Sequence, residues 1–235
     1  MKNFIDAMDA KKQQQLKIMA LLFENGVEFV STDGVVIEDT VRVGKGTVIY
    51  PNVVLKGDTV IGENCTLTSC TVIENCTVGD GTVINASQCY QSKIGNEVKI
   101  GPFSHIRPNS DISDHVKIGD FVEVKNSTLD VGVSISHLTY VGDSDIGKNV
   151  NFGCGCVTVN YDGVNKARCT VGDNAFIGCN TNLIAPVKVG DGSFIAAGST
   201  ITEEVPEEAM AIARARQVNK EGLGAKKLKD RKLKY

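Results

Sequence analysis

The feature that most constrains the fold is a hydrophobic residue that recurs every six positions along most of the chain. A period of six differs from the roughly 3.6-residue period of an amphipathic helix and from the two-residue alternation of a half-buried strand. Repeats at a fixed short period are typical of solenoids, in which each repeat packs on the next. The sequence therefore predicts an all-β parallel β-helix of hexapeptide repeats, not a helical bundle or an antiparallel sandwich.

The aliphatic positions continue, with one-residue slips and one interruption, to the end of the repeat. They are Ile37, Val43, Ile49, Leu55, Ile61, Leu67, Val72, Val78, Ile84, Ile94, Ile100, Ile106, Ile112, Ile118, Val124, Leu129, Ile135, Val141, Ile146, Phe152, Val171, Ile177, Leu183, Val189, Ile195 and Ile201. A small or β-branched residue commonly follows four positions later, as at Thr47, Val53 and Cys65. We expect both positions to point inward. Three such strands would form one triangular coil, and about nine coils would stack about 4.8 Å apart.

Glycine commonly follows the aliphatic residue, as at Gly44 and Gly119. Glycine tolerates backbone dihedral angles that are costly for other residues. We therefore expect a sharp corner of the coil at these positions.

Three segments are predicted along the chain. Residues 1–29 hold an amphipathic helix over 4–25 with a glycine stop at Gly26, residues 30–205 form the β-helix, and residues 206–235 are a tail. The basic run at 226–232 is expected to be a solvated or frayed end, with docking as a helix or on a neighbouring chain as the alternative.

Charge and composition exclude several classes of partner. The 25 basic and 28 acidic residues nearly balance, so no global field favours nucleic acid or an anionic membrane. We find no signal peptide and no apolar run of transmembrane length, so a cytoplasmic protein is expected. Its eight cysteines should then be reduced. A small-molecule partner is the remaining expectation.

The three histidines do not predict a metal site. A zinc site like that of a carbonic anhydrase would need His105, His115 and His137 to converge, but the six-residue register puts them at different corners and faces. Cys154 and Cys156 should point to opposite sides of one strand, which argues against a Cys-x-Cys metal site. Cys156, like Cys65, occupies an inward position, so we expect its side chain to pack in the interior of the β-helix.

Two cations recur one full coil apart. Eighteen residues separate Arg107 from Lys125, so the two should stack at one corner with no acidic neighbour in register. Stacked cations suit a phosphate, because Arg offers a bidentate fork and Lys a point charge. A solvated basic corner is the alternative. His137 lies twelve residues after Lys125 and faces outward, where an ordinary surface histidine is the alternative to a catalytic one.

Several short sequence motifs between residues 101 and 222 indicate a function. They are Gly101-Pro102-Phe103, Arg107-Pro108, Phe121-Val122-Glu123, His137-Leu138-Thr139-Tyr140, Asn160-Tyr161-Asp162-Gly163, Asn165-Lys166 and Lys220-Glu221-Gly222. In these strings the segment 101–222 resembles the acetyltransferase domain of the bacterial bifunctional N-acetylglucosamine-1-phosphate uridyltransferase/glucosamine-1-phosphate N-acetyltransferases. That family belongs to the hexapeptide-repeat acyltransferases.

The resemblance implies a left-handed β-helix that is active as a homotrimer and transfers acetyl from acetyl-CoA to the amine of glucosamine 1-phosphate. His137 would be the general base and Glu123 would orient it. The residues implied to bind the sugar phosphate are Arg107, Lys125, Tyr140, Asn151, Asn160 and Lys166. Those implied to line the coenzyme A path are Cys154, Tyr161, Cys179, Ala197 and Arg214. A backbone N–H would stabilise the oxyanion, and no metal would be needed.

The chain departs from this family at two cysteines and in its length. Family members commonly carry Gly-Ala-Gly-Thr where this chain has Gly153-Cys154-Gly155-Cys156, and a serine where it has Cys179. A covalent thiol mechanism is conceivable, but direct transfer is expected. No nucleotidyltransferase domain precedes residue 30, so either a stand-alone acetyltransferase or a fragment is expected, without uridyl transfer.

Two alternatives stay open at this point. One is another hexapeptide acyltransferase, acting on serine, a galactoside, an antibiotic or a nucleotide-linked sugar. The other is a non-catalytic β-helix that serves in assembly or binding. The interruption of the repeat at 160–168 argues against the second, because loops expelled from a regular solenoid often carry function.

Overall fold

The predicted β-helix is confirmed by the structure, a computed structural model that describes residues 2–229. Three sheets of eleven, ten and nine strands form its sides. Successive strands enter the first, second and third sheet in turn, so three strands make one triangular coil and about ten coils stack, one more than expected. Neighbouring coils pair in parallel throughout. The left hand of the coil stays a prediction that depends on the family resemblance.

The strands are two to four residues long, because each six-residue repeat also contains a corner. The first sheet consists of Glu28–Phe29, Val48–Ile49, Thr66–Leu67, Val83–Ile84, Lys99–Ile100, Lys117–Asp120, Ser134–His137, Asn151–Phe152, Phe176–Ile177, Phe194–Ile195 and Met210–Ala211. The second consists of Val36–Ile37, Val54–Lys56, Val72–Glu74, Gln88–Tyr90, His105–Ile106, Glu123–Lys125, Tyr140–Gly142, Val157–Val159, Asn182–Ile184 and Thr200–Ile201. The third consists of Arg42–Val43, Val60–Ile61, Thr77–Val78, Lys93–Ile94, Asp111–Ile112, Thr128–Leu129, Ser144–Ile146, Cys169–Val171 and Val187–Val189.

The interior is a stack of the predicted aliphatic residues. Ile84, for example, lies opposite Leu67 on one side and Ile100 on the other, and all three are buried. The second predicted inward position is also buried, as at Val53 and Cys65. Apolar burial of this kind, repeated in every coil, is the main source of the prism's stability.

One predicted inward residue is wrong. Val72 is half-buried, whereas Ile73 is fully buried. The period of six therefore continues from Leu67 to Ile73, and the one-residue slip follows Ile73 instead of preceding it. Cys89 fills the interior position between Ile84 and Ile94, because two further slips set it five positions from each of them.

The dihedral angle expected at the recurrent glycines is found at Gly101, which has a φ of 98°, but not at most of the others. Gly44 and Gly119 do not have positive φ angles. A Cβ at Gly44 would lie 2.6 Å from the carbonyl carbon of Gly62, and one at Gly119 would lie 2.0 Å from the carbonyl oxygen of Ser136. These glycines are needed because adjacent coils approach closely there. Positive φ angles occur instead at other corner positions, which carry glycines such as Gly46 and asparagines such as Asn64.

A helix covers the first coil. Helix α1 spans Lys2–Glu24 and buries Met19 and Leu22, and Gly26 follows it with a φ of 89°. The Gln15 side chain donates to the carbonyl of Ile37 at 2.8 Å and accepts from its N–H at 2.9 Å. The Gln15 amide thus forms hydrogen bonds with backbone groups of an edge strand that would otherwise be unpaired. No helix within residues 2–229 has the length and apolar character needed to span a bilayer.

The other end of the prism extends past the predicted boundary at 205. The Met210–Ala211 strand pairs with Phe194–Ile195 and completes the first sheet. The short helix α2, Leu223–Leu228, contains no buried residue. Lys226 and Lys227 of the predicted basic run are exposed on α2, while residues 230–232 of that run lie outside the described part of the chain.

Candidate active site

His137 is hydrogen-bonded to a carboxylate that the sequence reasoning missed. The Lys117–Asp120 and Ser134–His137 strands are longer than most, and their register sets Asp120 opposite His137. Asp120 Oδ1 lies 2.6 Å from His137 Nδ1. The hydrogen bond from the imidazole is the main reason that the pKa of Asp120 lies below its usual value. With Nδ1 held by the carboxylate, Nε2 is the nitrogen available to accept a proton.

The expected contact between Glu123 and His137 is not found. Glu123 belongs to the second sheet, where it lies opposite His105 and Tyr140, whereas His137 ends a strand of the first sheet. The Glu123 carboxylate instead accepts a hydrogen bond from Arg107 Nη1 at 2.8 Å. This bond raises the pKa of the Arg107 guanidinium. Within one chain Glu123 therefore pairs with the Arg107 guanidinium and not with the imidazole of His137.

Arg107 and Lys125 follow paired residues on adjacent coils, as predicted, but each has an acidic partner. The pairing of Ile106 with Val124 brings the next residue of each strand to the same edge. Lys125 Nζ lies 3.4 Å from both carboxylate oxygens of Asp143. The expectation of no acidic neighbour is thus wrong, because acids on the following coil reach both cations. The corner remains a balanced set of two cations and two anions.

Asp143 accepts hydrogen bonds from polar side chains at this corner. Asn126 Nδ2 donates to it at 2.5 Å from one neighbouring coil, and Asn160 Nδ2 donates to it from the other. Asn160 Nδ2 also lies 3.4 Å from the Tyr140 hydroxyl. Gly142 leaves room for the Tyr140 ring, since a Cβ there would lie 2.2 Å from the phenol oxygen. Tyr140, Asn160 and Lys125, all predicted to bind the acceptor, are therefore brought together.

The residues predicted to line the coenzyme path form one column. The first sheet pairs Ile118, Ile135, Phe152, Ile177 and Ile195 in register on successive coils. Two positions after these residues stand, in the same order, Asp120, His137, Cys154, Cys179 and Ala197. The Asp120–His137 hydrogen bond and the predicted coenzyme residues therefore share the edge at which the strands of the first sheet end. Three coil spacings, about 14 Å, separate His137 from Ala197.

Local contacts hold this column together. Asn180 N–H donates to the Cys154 carbonyl at 2.8 Å, and Gly198 N–H donates to the Cys179 carbonyl at 2.7 Å. Arg214 Nη1 donates to the carbonyl of Ala197, which brings the last predicted residue to the same edge. The exposed Cys179 and the half-buried Cys154 lie on the outside, whereas Cys156 is buried, as expected.

The expelled loop at 160–168 has a structure of its own. Tyr161 and Lys166 face each other in an antiparallel bridge, and the Tyr161 hydroxyl donates to the carbonyl of Gly163 at 2.6 Å. Asp162 Oδ1 accepts the N–H groups of Asn165 and Val164, which lower its pKa. Lys166 is exposed on this loop. The loop therefore projects from the prism in a conformation that its own hydrogen bonds stabilise.

Arg168 anchors the base of this loop. Its guanidinium lies 2.5 Å from Asp145 Oδ1 and donates to the carbonyls of Ser144 at 3.1 Å and Asn126 at 3.0 Å. The hydrogen bond to Asp145 is the main cause of the raised pKa of Arg168. These bonds tie the end of the loop to the coils that carry Lys125 and Asp143.

Asn151 lies apart from the other predicted acceptor residues within one chain. It belongs to the Asn151–Phe152 strand of the first sheet, between Ser134 and Phe176, whereas Asn160 follows a strand of the second sheet. The three histidines are likewise separate, since His105 is in the second sheet, His137 in the first and His115 at a corner. Within residues 2–229 no group of three His, Cys, Asp or Glu side chains is arranged to hold a metal ion.

Known families match both halves of the prism. The bacterial transferase hexapeptide family (six repeats) matches residues 91–126 and 168–203. The GMPPB C-terminal domain matches residues 31–91. These matches cover coils on both sides of the expelled loop.

Relatives named bifunctional protein GlmU match nearly the whole chain. The Listeria monocytogenes serovar 1/2a protein is 52% identical over 214 residues, which cover 91% of this chain and 47% of that protein. The Geobacillus sp. (strain WCH70) protein is 54% identical over 213 residues, which cover 91% and 46%. The Clostridium kluyveri protein is 49% identical over 223 residues, which cover 95% and 49%. The chain thus spans about half the length of these relatives. The segments 91–126 and 168–203 are thus bacterial transferase hexapeptide repeats, and over 91% of its length the chain is similar to about half of the proteins named bifunctional protein GlmU.

Proposed function

We propose that the chain is a glucosamine-1-phosphate N-acetyltransferase, which transfers acetyl from acetyl-CoA and produces N-acetylglucosamine 1-phosphate. The observation that carries the proposal is the arrangement of two edges on either side of the second sheet. One edge has the Asp120–His137 pair at the head of the Cys154, Cys179 and Ala197 column. The other edge has the cations Arg107 and Lys125.

The chemistry assigned to His137 is general base catalysis. His137 Nε2 takes a proton from the amine of glucosamine 1-phosphate while the nitrogen attacks the thioester carbonyl. The C–N bond forms, the C–S bond breaks, and coenzyme A leaves as a thiolate that is then protonated. Positioned bases of this kind typically contribute about 10²- to 10⁴-fold to the rate. Asp120 stabilises the imidazolium that forms during the transfer.

The acetyl donor, acetyl-CoA, is assigned to the column of residues at the edge of the first sheet. Acetyl-CoA would lie along Cys154, Cys179 and Ala197 with its thioester beside His137 and with Arg214 near its adenosine phosphate. Tyr161 would contact it from the expelled loop. A backbone N–H would stabilise the oxyanion. Transfer is direct, because the base already lies at the head of the donor column, so neither cysteine needs to carry the acetyl group.

The acceptor is assigned to the outer face of the second sheet. Arg107, Lys125 and Tyr140 would bind its phosphate there, joined by Lys166 from the expelled loop. Charge-assisted bonds to phosphate are stronger than neutral ones, which fits an acceptor that carries two negative charges. Asn151 and Asn160 would contact the sugar. Because these two lie on different sheets of one chain, Asn151 is assigned to the site from a neighbouring subunit.

Assembly completes the proposed site. We infer a homotrimer in the cytoplasm, since the side chains of His137 and Asp120 are 58% and 38% exposed on a convex prism and a second prism is needed to cover them. The eight cysteines are all unpaired in the structure, which fits a reducing compartment.

The direct test measures free thiol released from acetyl-CoA in the presence of glucosamine 1-phosphate. Unphosphorylated glucosamine is the comparison, and serine and a galactoside represent the other hexapeptide acyltransferases. We expect glucosamine 1-phosphate to be used with the highest kcat/KM by a wide margin. A preference for any unphosphorylated acceptor would refute the proposal.

Replacing Arg107 with alanine is expected to raise the KM for glucosamine 1-phosphate by about 10- to 100-fold, because a hydrogen bond between two charged groups is lost. The small kcat/KM for unphosphorylated glucosamine should change little, since that acceptor has no phosphate. Arg42→Ala is the matched control, because the Arg42 guanidinium bonds only to carbonyls of its own corner. An equal loss toward both acceptors would count against a phosphate-binding role.

A further inference from the structure

Asp143 is unusual in its burial. Within residues 3–229 it is the only Asp, Glu, Lys or Arg that is buried, with 4% of its surface exposed. Burying a carboxylate is costly unless donors compensate for the lost water. The fold must therefore supply those donors.

Three side chains supply the donors. Burial raises the pKa of Asp143, but the hydrogen bonds from Asn126 and Asn160, together with the Lys125 ammonium, outweigh it, so the pKa lies below its usual value. Asn126 and Lys125 come from the preceding coil, and Asn160 comes from the following coil. Asp143 is thus an anion held between two coils.

The turn itself does not require a carboxylate. Asp143 has a φ of 48°, at a corner where a five-residue repeat follows the second sheet. The same five-residue corner in other coils has positive φ at Asn75, Gln91 and Asn126. Each of the three has a side-chain amide, and the N–H of each donates to the preceding coil, as the N–H of Asp143 does. An amide therefore satisfies this corner, and the negative charge at Asp143 serves another purpose.

We propose that Asp143 is a positioning residue that fixes the Lys125 ammonium and the Asn160 carboxamide for the acceptor. This inference depends on the proposed function, because it assigns the two side chains to the acceptor site. Lys125 has three N–H donors, so pairing with Asp143 leaves at least one for a phosphate oxygen. Asn160 directs its NH₂ to Asp143 and to the Tyr140 hydroxyl, which leaves its carbonyl oxygen to accept from a sugar hydroxyl or amine.

The first test is Asp143→Asn, which keeps the shape and removes the charge. We expect the KM for glucosamine 1-phosphate to rise about tenfold or more, because Lys125 loses its partner and Asn160 faces another NH₂. The KM for acetyl-CoA should stay within about twofold, since Asp143 lies away from the donor column. A merely structural defect would change both KM values or the thermal melting temperature without this split.

The matched control is Asp173→Asn. Asp173 Oδ1 accepts the backbone N–H of Lys148 at 2.7 Å, and at the equivalent corner of another coil Asn96 Oδ1 accepts the N–H of Asp80 at 2.8 Å. An amide already performs this task, so the control should leave both KM values unchanged. If Asp143→Asn does not fold, Asp143→Ser removes the charge with a smaller side chain and is measured in its place.

A double-mutant cycle tests whether Asp143 acts through Lys125. Lys125→Met should raise the KM for glucosamine 1-phosphate, and adding Asp143→Asn to it should raise that KM much less than Asp143→Asn does alone. Fully additive effects would overturn the proposed positioning of Lys125.

A second readout needs no turnover. Brief treatment with acetic anhydride, followed by mass spectrometry, compares acetylation of Lys125 with that of the exposed strand residue Lys117. Lys125 should react several-fold faster in Asp143→Asn than in wild type, and no faster in Asp173→Asn. Equal rates in all three proteins would overturn the pairing. If wild type does not acetylate glucosamine 1-phosphate, the proposed function fails, while this labelling still decides whether Asp143 holds Lys125.

Discussion

Replacing His137 with alanine is expected to lower kcat for acetyl transfer to glucosamine 1-phosphate by at least about 100-fold, because the proton acceptor of the attacking amine is removed. The fold should be unaffected, since His137 is exposed and fills no interior position. The rate is measured as free coenzyme A thiol, and the melting temperature is measured on the same preparation. The KM for acetyl-CoA should change little, because the base acts in the transition state.

His115→Ala is the matched control for this variant. His115 is also an exposed histidine paired to a carboxylate, with Nδ1 lying 3.2 Å from Glu97 Oε2, but it lies at a corner away from both proposed edges. It should retain wild-type turnover. If His137→Ala retained most of its turnover under saturating substrates, the assignment of the base would be wrong.

Much of the fold could be predicted because an interior position repeats in one dimension. Each coil contacts only its neighbours, so a residue's burial follows from its place in the six-residue period. The period alone does not fix the location of a slip when two aliphatic residues are adjacent. Val72 and Ile73 are such a pair, and only the continuation of the coil shows which of them lies inside.

The role of the glycines was not predictable from dihedral preference alone. A glycine is compatible with a positive φ and also with a close approach of two backbones. At Gly44 and Gly119 the second reason applies, and it depends on the neighbouring coil, eighteen or seventeen residues away. Sequence reasoning that considers one corner at a time cannot separate the two.

The number of residues between equivalent positions of neighbouring coils also explains why Asp120 was missed in the candidate site. Asp120 precedes His137 by seventeen residues, because the coil between them contains a five-residue repeat. A search at the regular spacing of eighteen misses Asp120, and the family resemblance directs attention to Glu123. A register that followed each slip would have set Asp120 beside His137 and Asp143 between Asn126 and Asn160.

In a single prism the proposed site is open to solvent. We therefore expect a neighbouring subunit of the trimer to complete it. His137 and Asp120 lie on one edge, and Lys166 projects on a loop whose tip residue Val164 is 82% exposed. A loop that extends from a convex surface reaches a neighbouring prism more readily than its own opposite edge. If His137 and Lys166 in one site come from different subunits of the trimer, each site needs one intact copy of each residue.

Co-refolding of His137→Ala chains with Lys166→Ala chains should therefore restore activity that neither variant has alone. In a random one-to-one mixture, each site has an even chance of an intact His137 and an independent even chance of an intact Lys166, so about one quarter of the sites should be active. The activity is measured as thiol release before and after co-refolding, with light scattering to establish the trimer. Refolding each variant by itself is the control and should restore nothing. A fully active monomer would refute the shared site, and a mixed trimer without restored activity would assign His137 and Lys166 to the same subunit.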